Sequence, residues 1–295
     1  MSERIGVLAG LLSCIFGGAA AVATRYLVHD LDSVALAAFR FGLGFLVLLP
    51  LALRVRWPRG RDWIGVALLG ILFFAVFFIL YNWALAYTTA ARGALALSVL
   101  PLVTMALAAL LRVEPLTPRK TTGVLIAIAG VAAALGSGLV AAPAGAWRGD
   151  MIMAAATVCM ALYSIWSRPF VARSSPLGFL AAGMGIGVSA VIAVGVWRGS
   201  FAPVPDLFAG QWTALLYLGV FGGAAAFWLW IWALQRATPT RVTATMTINP
   251  VAAGLLASLI LGEPFGLSLV VGVAAVLAGI WIAATDARVR PAPAR

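Results

Sequence analysis

Ten apolar runs, separated by short polar gaps, follow one another along the chain. Each run comes close to or exceeds the ~20 residues that an α-helix needs to cross the hydrocarbon core of a bilayer. The runs lie at about 5–28, 33–53, 63–87, 90–111, 121–141, 149–170, 176–197, 212–235, 240–261 and 265–285. The pattern therefore predicts an all-α integral membrane protein with ten transmembrane helices.

The polar gaps are too short to hold a separate soluble domain. The longest lies between Arg198 and Gln211 and contains Pro203 and Pro205, which are typical of a loop. The first run follows Arg4, as a signal peptide would, but it outlasts the roughly 7–15 apolar residues of such a peptide. We therefore interpret it as an uncleaved first helix.

Basic residues alternate between the gaps, and they predict orientation because Lys and Arg are retained on the cytoplasmic side during insertion. One set of gaps carries fifteen of them: Arg4, Arg54, Arg56, Arg59, Arg61, Arg112, Arg119, Lys120, Arg168, Arg173, Arg236, Arg241, Arg288, Arg290 and Arg295. The opposite set carries four: Arg25, Arg92, Arg148 and Arg198. This asymmetry predicts that both termini lie in the cytoplasm, which requires an even number of helices.

An internal repeat appears when the chain is aligned with itself at an offset of 149 residues. Residues 83–130 and their counterparts share 15 identities in 48 positions. The matches include Trp83-Ala84-Leu85 with Trp232-Ala233-Leu234, Arg92 with Arg241, Pro101 with Pro250, and Glu114-Pro115 with Glu263-Pro264. We predict two five-helix halves, residues 1–143 and 144–295. Because five is odd, the second half is inverted, and inverted repeats are typical of alternating-access carriers.

Composition agrees with lipid as the solvent and excludes several classes of function. Hydrophobic residues make up 63% of the chain, charged residues 10%, and the mean hydropathy is +1.06. The pI near 11.2 does not indicate nucleic-acid binding, because the charges form no continuous basic face. Cys14 and Cys159 stand alone inside apolar runs, so we predict neither a metal site nor a cofactor.

The chain resembles a known family in its ten helices, its repeat, the arginine inside its second helix (Arg40) and the paired Pro and Glu-Pro positions. It resembles the drug/metabolite transporter superfamily, in its EamA-domain branch, and within that branch it looks like the aromatic amino acid exporters of bacterial inner membranes. The resemblance implies export of a small molecule from the cytoplasm, through a cavity lined by helices of both halves. The oligomeric state stays open, a monomer included.

Few polar residues lie at membrane depth, and these are candidates for contact with a substrate. Arg40 is the ionised residue inside a predicted span; it could attract a carboxylate, cap backbone carbonyls or extend to water. Pro101 and Pro250 interrupt equivalent helices, either as packing kinks or beside a transport site. The predicted site residues are Tyr81, Asn82, Ser98, Tyr163, Ser164, Trp228, Thr247, Asn249 and Arg40. For each of them, bonding between helices or contact with lipid is the alternative.

The acidic residues all fall near the ends of predicted spans, and the single histidine, His29, lies in a gap. Coupling to protons or sodium normally needs such a group inside the membrane, so we predict uncoupled transport. The leading hypothesis is a carrier of amino acids, including aromatic ones, and the alternative is a carrier of lipophilic or cationic drugs. An intramembrane enzyme is disfavoured because its usual motifs are missing, whereas a channel stays open.

Overall fold

The computed structural model describes residues 2–113, 117–137, 145–202, 204, 207–236, 245–262 and 267–284, and all regular structure in them is helical. The helices of the first half are α1 Ser2–Leu27, α2 Ser33–Ala52, α3 Asp62–Tyr87, α4 Ala90–Ser98, α5 Leu100–Leu110 and α6 Pro118–Ser137. Those of the second half are α7 Ala146–Trp166, α8 Arg168–Arg173, α9 Pro176–Arg198, α10 (running through Ala209–Tyr217, Leu218–Ala225 and Ala226–Arg236), α11 Ile248–Leu261 and α12 Leu267–Ala284.

Six helices in the described residues are long and apolar enough to cross a membrane, namely α1, α2, α3, α7, α9 and α10. Their outer surfaces carry large apolar side chains, such as Ile64 and Val196, each with about two thirds of its surface exposed (67%). A soluble protein rarely exposes so much apolar surface, because its transfer to water is unfavourable. The chain is thus an integral membrane protein.

Helical residues occupy each of the ten apolar runs, but two runs are divided. The fourth run is interrupted at Val99, and Pro101 follows as the second residue of α5, where a missing backbone N–H costs no helical hydrogen bond. The sixth run ends its helix at Trp166 instead of continuing to residue 170. The short α8 begins at Arg168 with Pro169 in its first turn, because the proline ring cannot continue the preceding helix.

Most of the helix packing joins the first half to the second. Helix α1 packs on α10 and α11, and α7 packs on α3, α4 and α5. Helix α2 packs on α9 and α10, α3 packs on α9, α4 on α11, and α6 on α12. In the repeat, α1, α2, α3 and α6 correspond to α7, α9, α10 and α12, and α4 with α5 corresponds to α11. If each helix is replaced by its counterpart, the same set of packing pairs results. The two halves therefore pack against each other through each of these helices.

Loop contacts define the two ends of the helical bundle. At one end, called the Asp30 end, Gln211 at the start of α10 donates a hydrogen bond of 2.7 Å to Asp30. At the other, called the Asp62 end, Arg173 donates two hydrogen bonds to the Asp62 carboxylate. These bonds raise the pKa of Arg173 above its ordinary value because they favour the charged form. The α2–α3 connection thus lies at the opposite end from the α9–α10 connection.

Both α3 and α10 contain a wider π-helical stretch, at Ile71–Phe77 and Leu218–Ala225. The two stretches occupy nearly equivalent positions of the repeat, and each packs on a helix of the other half through glycine. A Cβ atom at Gly70 of α3 would overlap the carbonyl oxygen of Gly183 in α9, and one at Gly223 of α10 would lie 2.7 Å from the Arg40 carbonyl oxygen in α2. Such stretches often mark functional positions in a helix.

We expect Gly70→Ala to lower the stability of the protein by about 1–3 kcal/mol, because its Cβ would lie 2.8 Å from the Gly183 Cα and force two backbones apart. The matched control is Gly42→Ala on α2, where the nearest atom would be Val188 Cγ1 at an ordinary 3.8 Å. Thermal unfolding in detergent should show a lower Tm for the first variant and an unchanged or higher Tm for the second. Equal Tm values would mean that α3 and α9 are not in close contact.

Candidate functional site

An aromatic cluster lies at the centre of the interface between the halves. From the first half, Phe73 and Phe78 of α3 contribute buried rings. From the second half, Tyr163 of α7 stacks on Phe73 with ring centroids 4.2 Å apart, and Phe227 of α10 approaches Phe73 edge-on at 5.6 Å. Phe41 of α2 completes the cluster at 4.3 Å from Phe78. Stacked and edge-on geometries are the favourable ones for such rings, so the cluster holds both halves together.

Arg40 lies beside this cluster and is buried, with 5% of its surface exposed. Its Nη2 donates a hydrogen bond of 3.0 Å to the carbonyl oxygen of Gly222, within the π-helical stretch of α10. The guanidinium also lies 4.8 Å from the centre of the Phe78 ring, which is a cation–π distance. Its Nε and Nη1 atoms are buried and have no partner among the described residues.

Asn82 and Tyr81 follow the cluster on α3, and both are buried. Asn82 Nδ2 donates a hydrogen bond of 3.0 Å to the Ser33 carbonyl oxygen at the start of α2, while its Oδ1 has no partner among the described residues. The Tyr81 ring lies 5.8 Å from Phe78. Together with Tyr163, these are the predicted site residues that the structure brings to one interface.

Other predicted site residues lie apart from this interface or are already bonded. Ser164 donates a hydrogen bond of 2.8 Å to the Met160 carbonyl oxygen of its own helix. The Trp228 ring packs beside Trp232 and is 39% exposed. The half-buried Asn249 side chain packs against α1, where its Nδ2 would lie 2.9 Å from a Cβ at Gly17. The side chains of Ser98, Thr247 and Pro250 lie outside the described part of the chain.

Charged contacts outside the centre occur at the ends of helices. Arg92 and Asp150 form an ion pair of 2.8 Å that joins the start of α4 to the start of α7. Arg25 Nη1 donates hydrogen bonds to the Leu85 and Ala86 carbonyl oxygens at the end of α3, where a cation is favourable. Within the described residues no group of three or more His, Cys, Asp or Glu side chains is suited to hold a metal ion.

Sequence reasoning missed the contributions of Phe41, Phe227 and Thr24. The Thr24 hydroxyl of α1 is buried and has no partner among the described residues. Phe41 and Phe227 stand beside the residues that were singled out, Arg40 and Trp228, but apolar residues inside apolar helices carry no signal of their own. The glycines at 219, 222 and 223 were the one feature of the sequence that indicated a close approach of another helix to α10.

The helices and their shared interface define a polytopic membrane protein with two interleaved halves. The chain belongs to the EamA-like transporter family, whose model matches residues 4–136 and again residues 147–285. It is therefore a membrane transporter of the drug/metabolite transporter superfamily, as the resemblance predicted.

Individual relatives agree with this assignment. An "Uncharacterized transporter YyaM" of Bacillus subtilis is 25% identical over 281 residues, which cover 93% of this chain and 92% of the relative. A "Probable terminal-alkyne amino-acid exporter" of Streptantibioticus cattleyicolor is 29% identical over 232 residues, covering 75% of this chain and 73% of the relative. One crystal structure shares the fold with a TM-score of 0.70 at 22% identity, covering 94% of this chain and 96% of its own.

Proposed function

We propose that the protein is an alternating-access carrier of amino acids, including aromatic ones, in the bacterial inner membrane. Its architecture would be two inverted five-helix halves, residues 1–143 and 144–295, with ten crossings and both termini in the cytoplasm. The helix pairs that persist when the halves are exchanged support the repeat. The α2–α3 and α9–α10 connections, at opposite ends of the bundle, support the inversion.

The observation that carries the proposal is the aromatic interface shared by both halves. Tyr163 of one half stacks on Phe73 of the other, so movement of one half relative to the other changes this contact. An aromatic or aliphatic side chain entering between the rings would replace their mutual contacts with its own. The site we propose is formed by Tyr81, Asn82, Ser98, Tyr163, Ser164, Trp228, Thr247, Asn249 and Arg40, with helix breaks at Pro101 and Pro250.

The direction and substrate range rest on the family and on charge. The relative named as an amino-acid exporter supports export of an amino acid by this chain. A buried arginine disfavours a lipophilic cation as substrate, because like charges repel strongly where water is excluded. An uncoupled mechanism is supported by the positions of Asp30, Asp32, Asp62 and Asp150, none of which is buried.

Replacing Tyr163 tests the proposed site. We expect Tyr163→Leu to reduce uptake of L-phenylalanine into proteoliposomes by about tenfold, because it removes one aromatic wall of the interface. Tyr163→Phe, which keeps the ring, should retain most of the uptake. Tyr26→Leu is the matched control, because that ring lies exposed on α1. If Tyr163→Leu, reconstituted in equal amount, took up phenylalanine like the wild type, the substrate would not pass through the shared interface.

A further inference from the structure

Buried polar atoms without partners lie on the helices α1, α2 and α3, at Arg40 and on the side of it that faces the Asp30 end. Among the described residues these atoms include Thr24 Oγ1 on α1, Arg40 Nε and Nη1 on α2, and Asn82 Oδ1 on α3. A buried polar group that forms no hydrogen bond costs free energy, so native proteins rarely leave one unsatisfied. Because α1 and α2 both pack on α3, a ligand between these helices can satisfy them.

We propose that Arg40, Asn82 and Thr24 bind the two charged groups of an α-amino acid. The carboxylate accepts hydrogen bonds from one edge of the Arg40 guanidinium, and the ammonium donates to Asn82 Oδ1 and to the Thr24 hydroxyl. This assignment rests on the proposed function, since it concerns the substrate of the same carrier. It adds Thr24 to the site and gives the bound molecule one orientation.

The donor side of the site is Arg40. Its Nε and Nη1 are unpaired, and each lies beside Nη2 on one edge of the planar group. Nη2 gives one of its two hydrogens to Gly222, so one edge still presents two parallel N–H groups that match the two oxygens of a carboxylate. None of the ion pairs in the described part of the chain involves Arg40. The Gly222 carbonyl and the Phe78 ring hold the guanidinium in place but carry no full negative charge. A ligand carboxylate would therefore supply the missing counter-charge.

The acceptor side is formed by Asn82 and Thr24. Asn82 donates through Nδ2 to the Ser33 carbonyl oxygen, and this bond leaves Oδ1 as the free end of the amide. The Thr24 hydroxyl is buried to 1% exposure and could accept a second hydrogen bond. An ammonium group needs acceptors only, so these two oxygens suit it.

Asn82 and Thr24 each lie one helical turn beyond a residue close to the guanidinium, and both lie towards the same end of the bundle. The guanidinium lies over Phe78 of α3, and Asn82 follows Phe78 by four residues. A Cβ at Gly222 would lie 3.6 Å from Arg40 Nη2 and 2.9 Å from the Ala20 Cβ of α1, and Thr24 follows Ala20 by four residues.

Residues four apart share a helix face and are separated by about 5.4 Å along the axis. The ends of α1 and α3 lie together, because Arg25 of α1 donates to the Leu85 carbonyl oxygen of α3. Both acceptors are therefore displaced from Arg40 towards the Asp30 end. An α-amino acid can bridge the distance from Arg40 to these acceptors, with one hydrogen bond at its carboxylate, one at its ammonium and the short separation of the two groups between them. The unpaired atoms are shielded from solvent here, so a ligand reaches them when the helices around Arg40 separate.

Binding of radiolabelled L-phenylalanine to the full chain in detergent tests this site, with N-acetyl-L-phenylalanine and L-phenylalanine methyl ester as competitors. The wild type should prefer phenylalanine over each competitor by about tenfold or more, because each competitor lacks one charged group. Arg40→Gln should weaken phenylalanine binding by about 10- to 100-fold and abolish the preference over the methyl ester.

Asn82→Leu and Thr24→Val should weaken phenylalanine binding while leaving N-acetylphenylalanine unaffected. Arg198→Gln, which removes an exposed arginine, is the control and should bind like the wild type. Arg40→Lys is a second variant in case Arg40→Gln misfolds. It keeps the charge without the planar fork, so it should retain part of the preference for phenylalanine over the methyl ester. If Arg40→Gln and Arg40→Lys both bind with the wild-type preference, the site is wrong although the carrier function stands. If the wild type binds no phenylalanine, both proposals are wrong.

Discussion

Cysteines introduced at residues 59 and 202 should react with a membrane-impermeant maleimide from opposite sides of the membrane. Arg59 lies in the connection before α3, and Ala202 lies in the connection before α10, which the 149-residue repeat makes its counterpart. Both residues are exposed. In an inverted repeat, equivalent connections lie on opposite sides, and the basic residues around Arg59 predict that this connection lies in the cytoplasm.

The expected outcome is all-or-none. In intact cells Ala202→Cys should be labelled fully, and Arg59→Cys should be labelled only after the membrane is permeabilised. The native Cys14 and Cys159 are replaced first, because Cys159 is only partly buried. Labelling of both positions from the same side would rule out the inverted arrangement of the halves.

L-phenylalanine should equilibrate across proteoliposomes without accumulating, whatever proton or sodium gradient is imposed. Coupling requires a group that binds the driving ion differently in the two access states. None of the described residues that form the aromatic cluster or contact Arg40 is an aspartate, a glutamate or a histidine, and an arginine side chain does not give up its proton in proteins. A zwitterion also carries no net charge, so the membrane potential has little effect on its distribution.

The predicted difference from a coupled carrier is large. With a gradient of two pH units, exchange of one proton per substrate would drive accumulation of roughly 100-fold, whereas an uncoupled carrier reaches a ratio of about 1. Liposomes without protein measure passive leakage. Accumulation that follows a pH jump and disappears with a proton ionophore would contradict the uncoupled mechanism.

Hydropathy predicted the six long apolar helices of the described residues, because the bilayer fixes the length of a span and excludes unpaired backbone groups from the apolar core. It did not predict the π-helical stretches Ile71–Phe77 and Leu218–Ala225, since these depend on packing against another helix and not on local composition. The proline at position 101 indicated an interrupted fourth run, and the interruption at Val99 is observed. In the sixth run, Pro169 likewise indicated that the helix ends early, but the apolar residues continue to residue 170 and predicted a longer helix.

Residues of the proposed site could be singled out from the sequence where a polar side chain is costly in a membrane, and not elsewhere. Arg40 and Asn82 stand out in the sequence because charge and amide groups need partners in hydrocarbon. Phe41 and Phe227 are indistinguishable from other apolar residues until the helices are packed together. Ser164 stood out in the sequence as a polar residue, but its hydroxyl donates to the carbonyl four residues earlier in its own helix. Such a hydroxyl needs no partner elsewhere, so its presence in a span does not by itself indicate a site.

Counterflow tests the central claim, that this chain is an alternating-access carrier of amino acids, most directly. Proteoliposomes are loaded with unlabelled L-phenylalanine and diluted into a trace of the labelled amino acid. An alternating-access carrier returns its binding site inward with label and outward with unlabelled substrate. Labelled phenylalanine should therefore rise transiently above its external concentration and then decline. Label that rises only to equilibrium, or fails to enter above the rate of protein-free liposomes, would contradict the claim.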